Sequence, residues 1–142
     1  MSDAQLFQYA NSAALLGWIA LVVQPKRVAP VLRFVLPAAF ALLYLWALVT
    51  APSNPDGGFG SLAQVKALFL SDRGVLAGWV HYLAFDLFIG CWEAMDARER
   101  HIPHWLVIPC LALTFMVGPV GLLTYFMLRA AMSRRRDAVP AA

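Results

Sequence analysis

The sequence predicts an all-α membrane protein with four transmembrane helices and a short interfacial helix between spans two and three. Three observations carry that reading. Of the 142 residues, 61% are hydrophobic and only 13% charged, against about a quarter charged in a soluble domain. Four apolar stretches are each long enough to cross roughly 30 Å of hydrocarbon at about 1.5 Å per residue. The basic residues stand in short clusters beside those stretches, at Lys26, Arg27 and Arg33 and again at Arg129, Arg134, Arg135 and Arg136. Such clusters read as membrane-flanking anchors, so the net charge of +3 is no argument for nucleic acid.

The first span is expected from Gln5 to Val23, closed by Gln24-Pro25-Lys26-Arg27. Only Asp3 precedes it as a charge, so the basic n-region of a signal peptide is missing and the N-terminus is expected to be retained. The second span runs from Val31 to Thr50 and ends in Ala51-Pro52-Ser53-Asn54-Pro55-Asp56-Gly57-Gly58, which cannot continue a helix. Leu62, Val65, Leu68 and Phe69 then recur at helical spacing behind a Ser61 cap. That helix is too short to span and is read as lying on the bilayer surface or capping a cavity mouth. The third span runs from Gly74 to Met95 with Ser71 or Asp72 as its N-cap.

A fourth, unusually long span is expected from Pro103 to Ala130, kinked at Gly118, Pro119 and Gly121. Residues 1–132 then form a single domain, and 133–142 a basic flexible tail. Asp96, Arg98, Glu99 and Arg100 are expected in a solvated loop. With four spans, six Lys and Arg fall on the face of the N-terminus and tail and five on the other, so the charge balance selects no orientation. The Ala- and Arg-rich composition points to a multi-pass protein of a bacterial inner membrane.

The third span carries the chemistry. A charged side chain at the centre of a spanning helix costs about 2.5–3.5 kcal/mol, so such residues face protein and mark function. Asp86 lies midway between Asp72 and Asp96, hence near mid-bilayer. Glu93, seven residues on, returns to within about 20° of the same face, and Tyr82 at i−4 shares that stripe. His81 is about 140° away from Asp86 in an ideal helix. Depth counting puts Thr114 near the level of Asp86, Tyr44 near that of His81, and Asn11 on the inward side of the first span. With Trp79, these groups are read as lining a small polar pocket. Taken singly, Asn11, Tyr44 and Thr114 are more often interhelical hydrogen-bonding groups than ligand contacts.

A deeply placed Asp86 is expected to carry its proton and donate it, while Glu93, nearer the surface, stays ionised. One donor and one acceptor on one helix face suit general acid–base catalysis or equally a proton relay. His101 and His104 with His81 are too few, and Pro103 interrupts them, so no metal site is expected. No cofactor motif is present. Cys91 and Cys110 read as small buried hydrophobes.

Trp79, His81, Ala84, Asp86, Leu87 and Phe88, followed by the Gly118-to-Leu123 string "GPVGLL", resemble the abscisic-acid-deficient-four family, also called neoxanthin synthase in plants. The resemblance covers Gly78 to Arg129. It implies a carotenoid substrate and an isomerisation that opens a 5,6-epoxide and forms an allene without net redox change. Asp86 or His81 would then protonate the epoxide oxygen or remove the C7 proton, with Glu93 assisting. Two other readings stand beside it: a non-catalytic membrane protein that binds carotenoid, isoprenoid or lipid or assembles with a partner, and a small proton-coupled transporter. Gly74 and Gly78 form a small-xxx-small pair suited to a close helix contact, either within the chain or in a homo-oligomer.

Overall fold

The computed structural model describes residues 1–137, and all regular structure among them is helical: α1 (Asp3–Val23), α2 (Pro25–Thr50), α3 (Leu62–Leu68), α4 (Asp72–Glu99), α5 (His104–Val117) and α6 (Pro119–Asp137). Three of these helices, α1, α2 and α4, are long and apolar enough to cross a membrane. The expected fourth span is not one helix.

Local sequence explains where the helices begin. Ser2 caps α1 in a capping box, its hydroxyl accepting from the Gln5 N–H while the Gln5 side chain accepts from the Ser2 N–H. Ser61 caps α3 and Ser71 caps α4 through the N–H groups of Gln64 and Gly74. Only Gln24 separates α1 from α2, which opens on Pro25, where a missing N–H costs nothing. Helix α4 ends in a Schellman motif: the Ile102 N–H donates to Ala97 O, the His101 N–H to Arg98 O, and His101 takes the left-handed conformation at φ +53°.

Helix α4 is the centre of the molecule, packed against α2 most extensively and against α1 and α5. Two clusters mark the ends of the bundle. At one end Arg73, in the first turn of α4, pairs with Asp3 of α1 at 2.8 Å, donates to Thr50 Oγ1 of α2 at 2.6 Å and lies over the Trp46 ring. At the other end His104 Nε2, opening α5, lies 2.8 Å from Val22 O at the close of α1.

From that second end, α5 enters beside α4 and stops halfway. Its last residues meet the middle of α4: the Tyr82 hydroxyl donates to Phe115 O at 2.9 Å, and Gly118 packs against the Asp86 carboxyl. At Gly118, φ is +43°, a value that favours glycine, and the chain reverses. Gly121 then packs so closely on Thr114 that a Cβ there would collide with the Thr114 backbone. Along α6, Tyr125 lies against Trp92 with ring centroids 5.6 Å apart, Arg129 reaches Asp96, and Met132 stands near Arg100 and Ile102. Each contact is further toward the end of α4 than the last. The fourth expected span is therefore a re-entrant helical hairpin whose two ends share one end of the bundle. The sequence-level reading of a kink fails because a positive φ between two short helices reverses the chain where a kink would only bend it.

One further expectation changes, and the placement of a glycine pair is decided. Residues 133–137, expected in a flexible tail, belong to α6, and 138–142 lie outside the described residues. Gly74 and Gly78 make their close contacts within the chain, against the Leu68 carbonyl and the Phe69 ring that follow from α3.

Gly118→Ala is expected to lower unfolding stability by about 1–3 kcal/mol through backbone strain at positive φ, read as a lower midpoint in a detergent melt. Cysteines at Trp92 and Phe126, whose rings lie 5.9 Å apart, are expected to join through a short bifunctional thiol reagent within one chain; no intramolecular product would place α6 elsewhere.

Candidate functional site

The polar groups of α4 divide between two faces. On the face toward α1 and the hairpin, Trp79 Nε1 donates to Asn11 Oδ1 at 2.8 Å, and the Trp79 ring also stacks near Tyr82 and Phe7. Tyr82 satisfies the Phe115 carbonyl, one of the acceptors left open at the end of α5. Asp86 sits against Gly118, and its Oδ2 is buried without a hydrogen-bond partner. Further along, Thr114 Oγ1 lies 2.9 and 3.2 Å from the two carboxyl oxygens of Glu93, to which it donates; both residues are 0% exposed. The expectation that Glu93 would be solvated near the surface is overturned, because α5 folds down over it.

On the opposite face, His81 lies against Phe85 and Tyr44, with ring centroids 4.6 and 5.5 Å away. His81 and Tyr44 line a cavity of about 740 Å³ between α2, α4 and the segment from Ala51 to Ser71. Leu48, Phe59, Leu68 and Phe69 supply apolar wall. The fold holds that segment in place through local bonds: Asn54 Nδ2 donates to Ala67 O, and the Gly58 N–H to Gln64 O. The structure thus brings Asn11, Trp79, Tyr82, Asp86, Glu93 and Thr114 along one side of α4 and places His81 with Tyr44 on the other. Neither Asp86 nor Glu93 lines the 740 Å³ cavity.

One polar cluster escapes the sequence reading. Asp96 lies inside α4, not in a loop, with its side chain 11% exposed. It accepts from the Tyr125 hydroxyl at 2.6 Å and from Arg100 Nε at 2.9 Å, with Arg129 Nε at 3.1 Å. Charge-assisted bonds to a shielded carboxylate are the stronger kind, and here they bind α6 to α4. The Asp96–Arg100 spacing of i, i+4 was the available sign; Tyr125 and Arg129 carried none. His81 stands apart from His101 and His104, which line one cleft, and among the described residues no group of three or more His, Cys, Asp or Glu could hold a metal ion.

A family model described as ABA4-like (ABA DEFICIENT 4-like) matches residues 5–125. The chain belongs to the ABA4-like family. The match reaches well beyond the Gly78-to-Arg129 stretch of the resemblance, taking in α1, α2 and α3 and with them the α2 wall of the His81 cavity. No curated protein and no solved structure matches this ABA4-like chain.

Thr114→Val leaves the Glu93 carboxyl buried without its donor and is expected to cost about 1–3 kcal/mol. Adding Glu93→Leu removes the unpaired group and is expected to recover much of that loss, measured as melting midpoints in detergent. Strictly additive losses would mean that the two side chains are not coupled.

Proposed function

We propose that this chain is a membrane protein that takes the ring end of a carotenoid-like isoprenoid into the α2–α3–α4 cavity and isomerises it by proton transfer at His81. The observation that carries the reading is the position of His81 and Tyr44 at the wall of a largely apolar cavity of about 740 Å³, to which Ser53, Asn54 and Ser71 add the other polar side chains, within the roughly 300–1,000 Å³ usual for ligand sites. Membership of the ABA4-like family supports a carotenoid over other apolar ligands. His81 stands nine residues into α4, roughly 14 Å along the helix from its start. A rod-shaped ligand could therefore place its polar ring near the interface under α3 and leave its polyene in hydrocarbon.

The chemistry is balanced without an external reagent. A ring N–H of His81 passes its proton to the epoxide oxygen as the C–O bond breaks. The imidazole left by that transfer then takes a proton from the neighbouring chain carbon, directly or with the Tyr44 hydroxyl passing its own proton to the ring as it accepts the carbon's, and the C–H electrons form the new double bond. Proton transfer of this kind contributes typically 10²–10⁴-fold to rate. Asp86 has a different role in this account: it packs on the hairpin turn, across the helix from the cavity.

The fold also supports an orientation. With the hairpin returning to the His104 end, Lys66 and Arg73 alone of the 11 Lys and Arg stand at the other end. The positive-inside rule then places the α1–α2 connection and the end of α6 in the cytoplasm, and the His81 cavity in the opposite leaflet.

A second reading is binding without catalysis. Among the described residues no hydrogen bond orients the His81 ring, whereas catalytic imidazoles are commonly held by a third group.

In a carotenoid-producing host, the wild type is expected to yield a rearranged pigment and His81→Ala to lower that yield about 100-fold or more, read by pigment chromatography. Asp86→Asn is expected to act through stability, with yield following protein level. Equal yields per molecule from wild type and His81→Ala would end the proposal, and unchanged pigment copurifying with both would favour binding alone.

A further inference from the structure

Helix α2 carries an arginine inside its apolar run. Arg33 stands about 12 Å along α2 from Pro25. It is half-buried and faces the second half of α4, near enough to Cys91 for its charge to act on that thiol. The guanidinium rests over the Phe34 ring, with Cζ 4.5 Å from the centroid. Its Nε is buried without a hydrogen-bond partner, and no carboxylate pairs with it among the described residues, whereas Arg73, Arg100 and Arg129 each have an acidic partner. An unpaired charge within a spanning helix is costly, and such residues mark the path of a ligand or ion.

A groove leads to Arg33 from the His81 cavity. On α4, His81, Phe85, Phe88 and Trp92 follow at i, i+4, i+7 and i+11, which keeps them within about 60° of one another around the helix. Phe85 lies directly against His81, and Phe85 and Phe88 are 59% and 43% exposed. On α2, Tyr44, Pro37 and Arg33 descend at i, i−7 and i−11, within about 40°. The Tyr44 and His81 rings meet at 5.5 Å, Arg33 faces Cys91, and Thr50 meets Arg73 at the far end. The two helices therefore run antiparallel, and their stripes edge one groove. Eleven residues, about 16 Å, take it from the level of Tyr44 and His81 to that of Arg33 and Trp92. Tyr125 and Phe126 of α6 stand beside Trp92 at its close.

Cavity and groove make one rod-shaped space. The cavity reaches back to Gly74, which lies about 27 Å along α4 from Trp92. Its polar groups stand apart: His81 and Tyr44 in the cavity, Arg33 at the other end. Residues 34–43 of α2, between Tyr44 and Arg33, are all apolar.

Building on the reading of the cavity as a carotenoid-like site, we propose that this groove seats the chain of the ligand and that Arg33 binds an oxygen at its far end. The site then takes a rod-shaped isoprenoid oxygenated at both ends. The aromatic stripe packs along the chain, and the guanidinium supplies a planar set of N–H donors to the oxygen. Each wall is open to hydrocarbon on one side, so the ligand enters from the bilayer.

The test uses the full chain purified in a neutral detergent, with binding followed by quenching of tryptophan fluorescence. β-Carotene, which has no oxygen, and zeaxanthin, the same skeleton with a hydroxyl on each ring, are titrated into the wild type and Arg33→Met. The substitution is expected to weaken zeaxanthin about tenfold or more and to leave β-carotene unchanged, which also reports that the variant is folded. Equal zeaxanthin affinity in the two proteins, an equal loss for both pigments, or no binding by the wild type overturns the proposal. A response to phosphatidylglycerol that Arg33→Met abolishes while zeaxanthin binding stays the same assigns Arg33 to a lipid headgroup and overturns it as well. These titrations need no turnover. Unchanged pigment yield in His81→Ala would therefore end the isomerase reading and leave the contact at Arg33 standing, and equal zeaxanthin affinities would do the reverse.

Discussion

Backbone that leaves helical geometry inside a membrane must find its hydrogen bonds in protein, because hydrocarbon offers none. The turn at Gly118 is where this chain meets that demand. Helix α5 ends beside the middle of α4, so its last carbonyls and the start of α6 open at a depth where an ordinary span would still be winding. Tyr82 of α4 donates to Phe115 O, and Gly118 lies flush against Asp86. Glu93 and Thr114 lock the hairpin one level higher, and Asp96 gathers Tyr125 and Arg129 at its mouth. Much of the polarity of α4 is thus the counterpart of a hairpin that does not cross.

That arrangement leaves the other face of α4 free. His81 is one residue from Tyr82 in sequence but turned toward α2, where the fold places a cavity and no hairpin. The two faces carry different demands. Groups packed on the hairpin are held by partners whose loss destabilises, whereas His81 stacks on aromatic rings and no hydrogen bond among the described residues engages its ring nitrogens. A helix with one polar face engaged in packing and another directed to a cavity explains how a segment this apolar retains three ionisable side chains.

The legible part of the fold was the part that hydropathy and caps determine: the existence of α1, α2 and α4, the close of α1 at Val23 and of α2 at Thr50, the Ser71 cap of α4, the short α3 behind Ser61, and the family itself from the stretch around Trp79 to Phe88, whereas α2 begins at Pro25 and not Val31 and α4 runs on from Met95 to Glu99. The hairpin was not legible, because residues 103–130 have the length and apolarity of a span and the pair Gly118-Pro119 is compatible with a kink or a reversal. The positive φ of Gly118, the packing of Gly121 on Thr114 and the contacts of Tyr125 and Arg129 along α4 decide between them. That one ambiguity propagated. It moved Arg129 to Arg136 to the wrong end, hid the charge asymmetry and left Glu93 apparently near solvent; Asp96 looked like a loop residue for a separate reason, the early close of the third span at Met95. At the candidate site, the 140° between His81 and Asp86 was readable from spacing; that a cavity lies on the His81 side was not, since it depends on where residues 51–71 fold.

The most direct test of the hairpin is which side of the membrane each of its ends faces. Single cysteines at Gln24 and Ser133, added to a chain whose own Cys91 and Cys110 are buried, can be probed with a membrane-impermeant maleimide in intact cells and in inverted vesicles. The account predicts that both react only in inverted vesicles, since both stand at the basic end. Labelling of the two positions from opposite sides would contradict it.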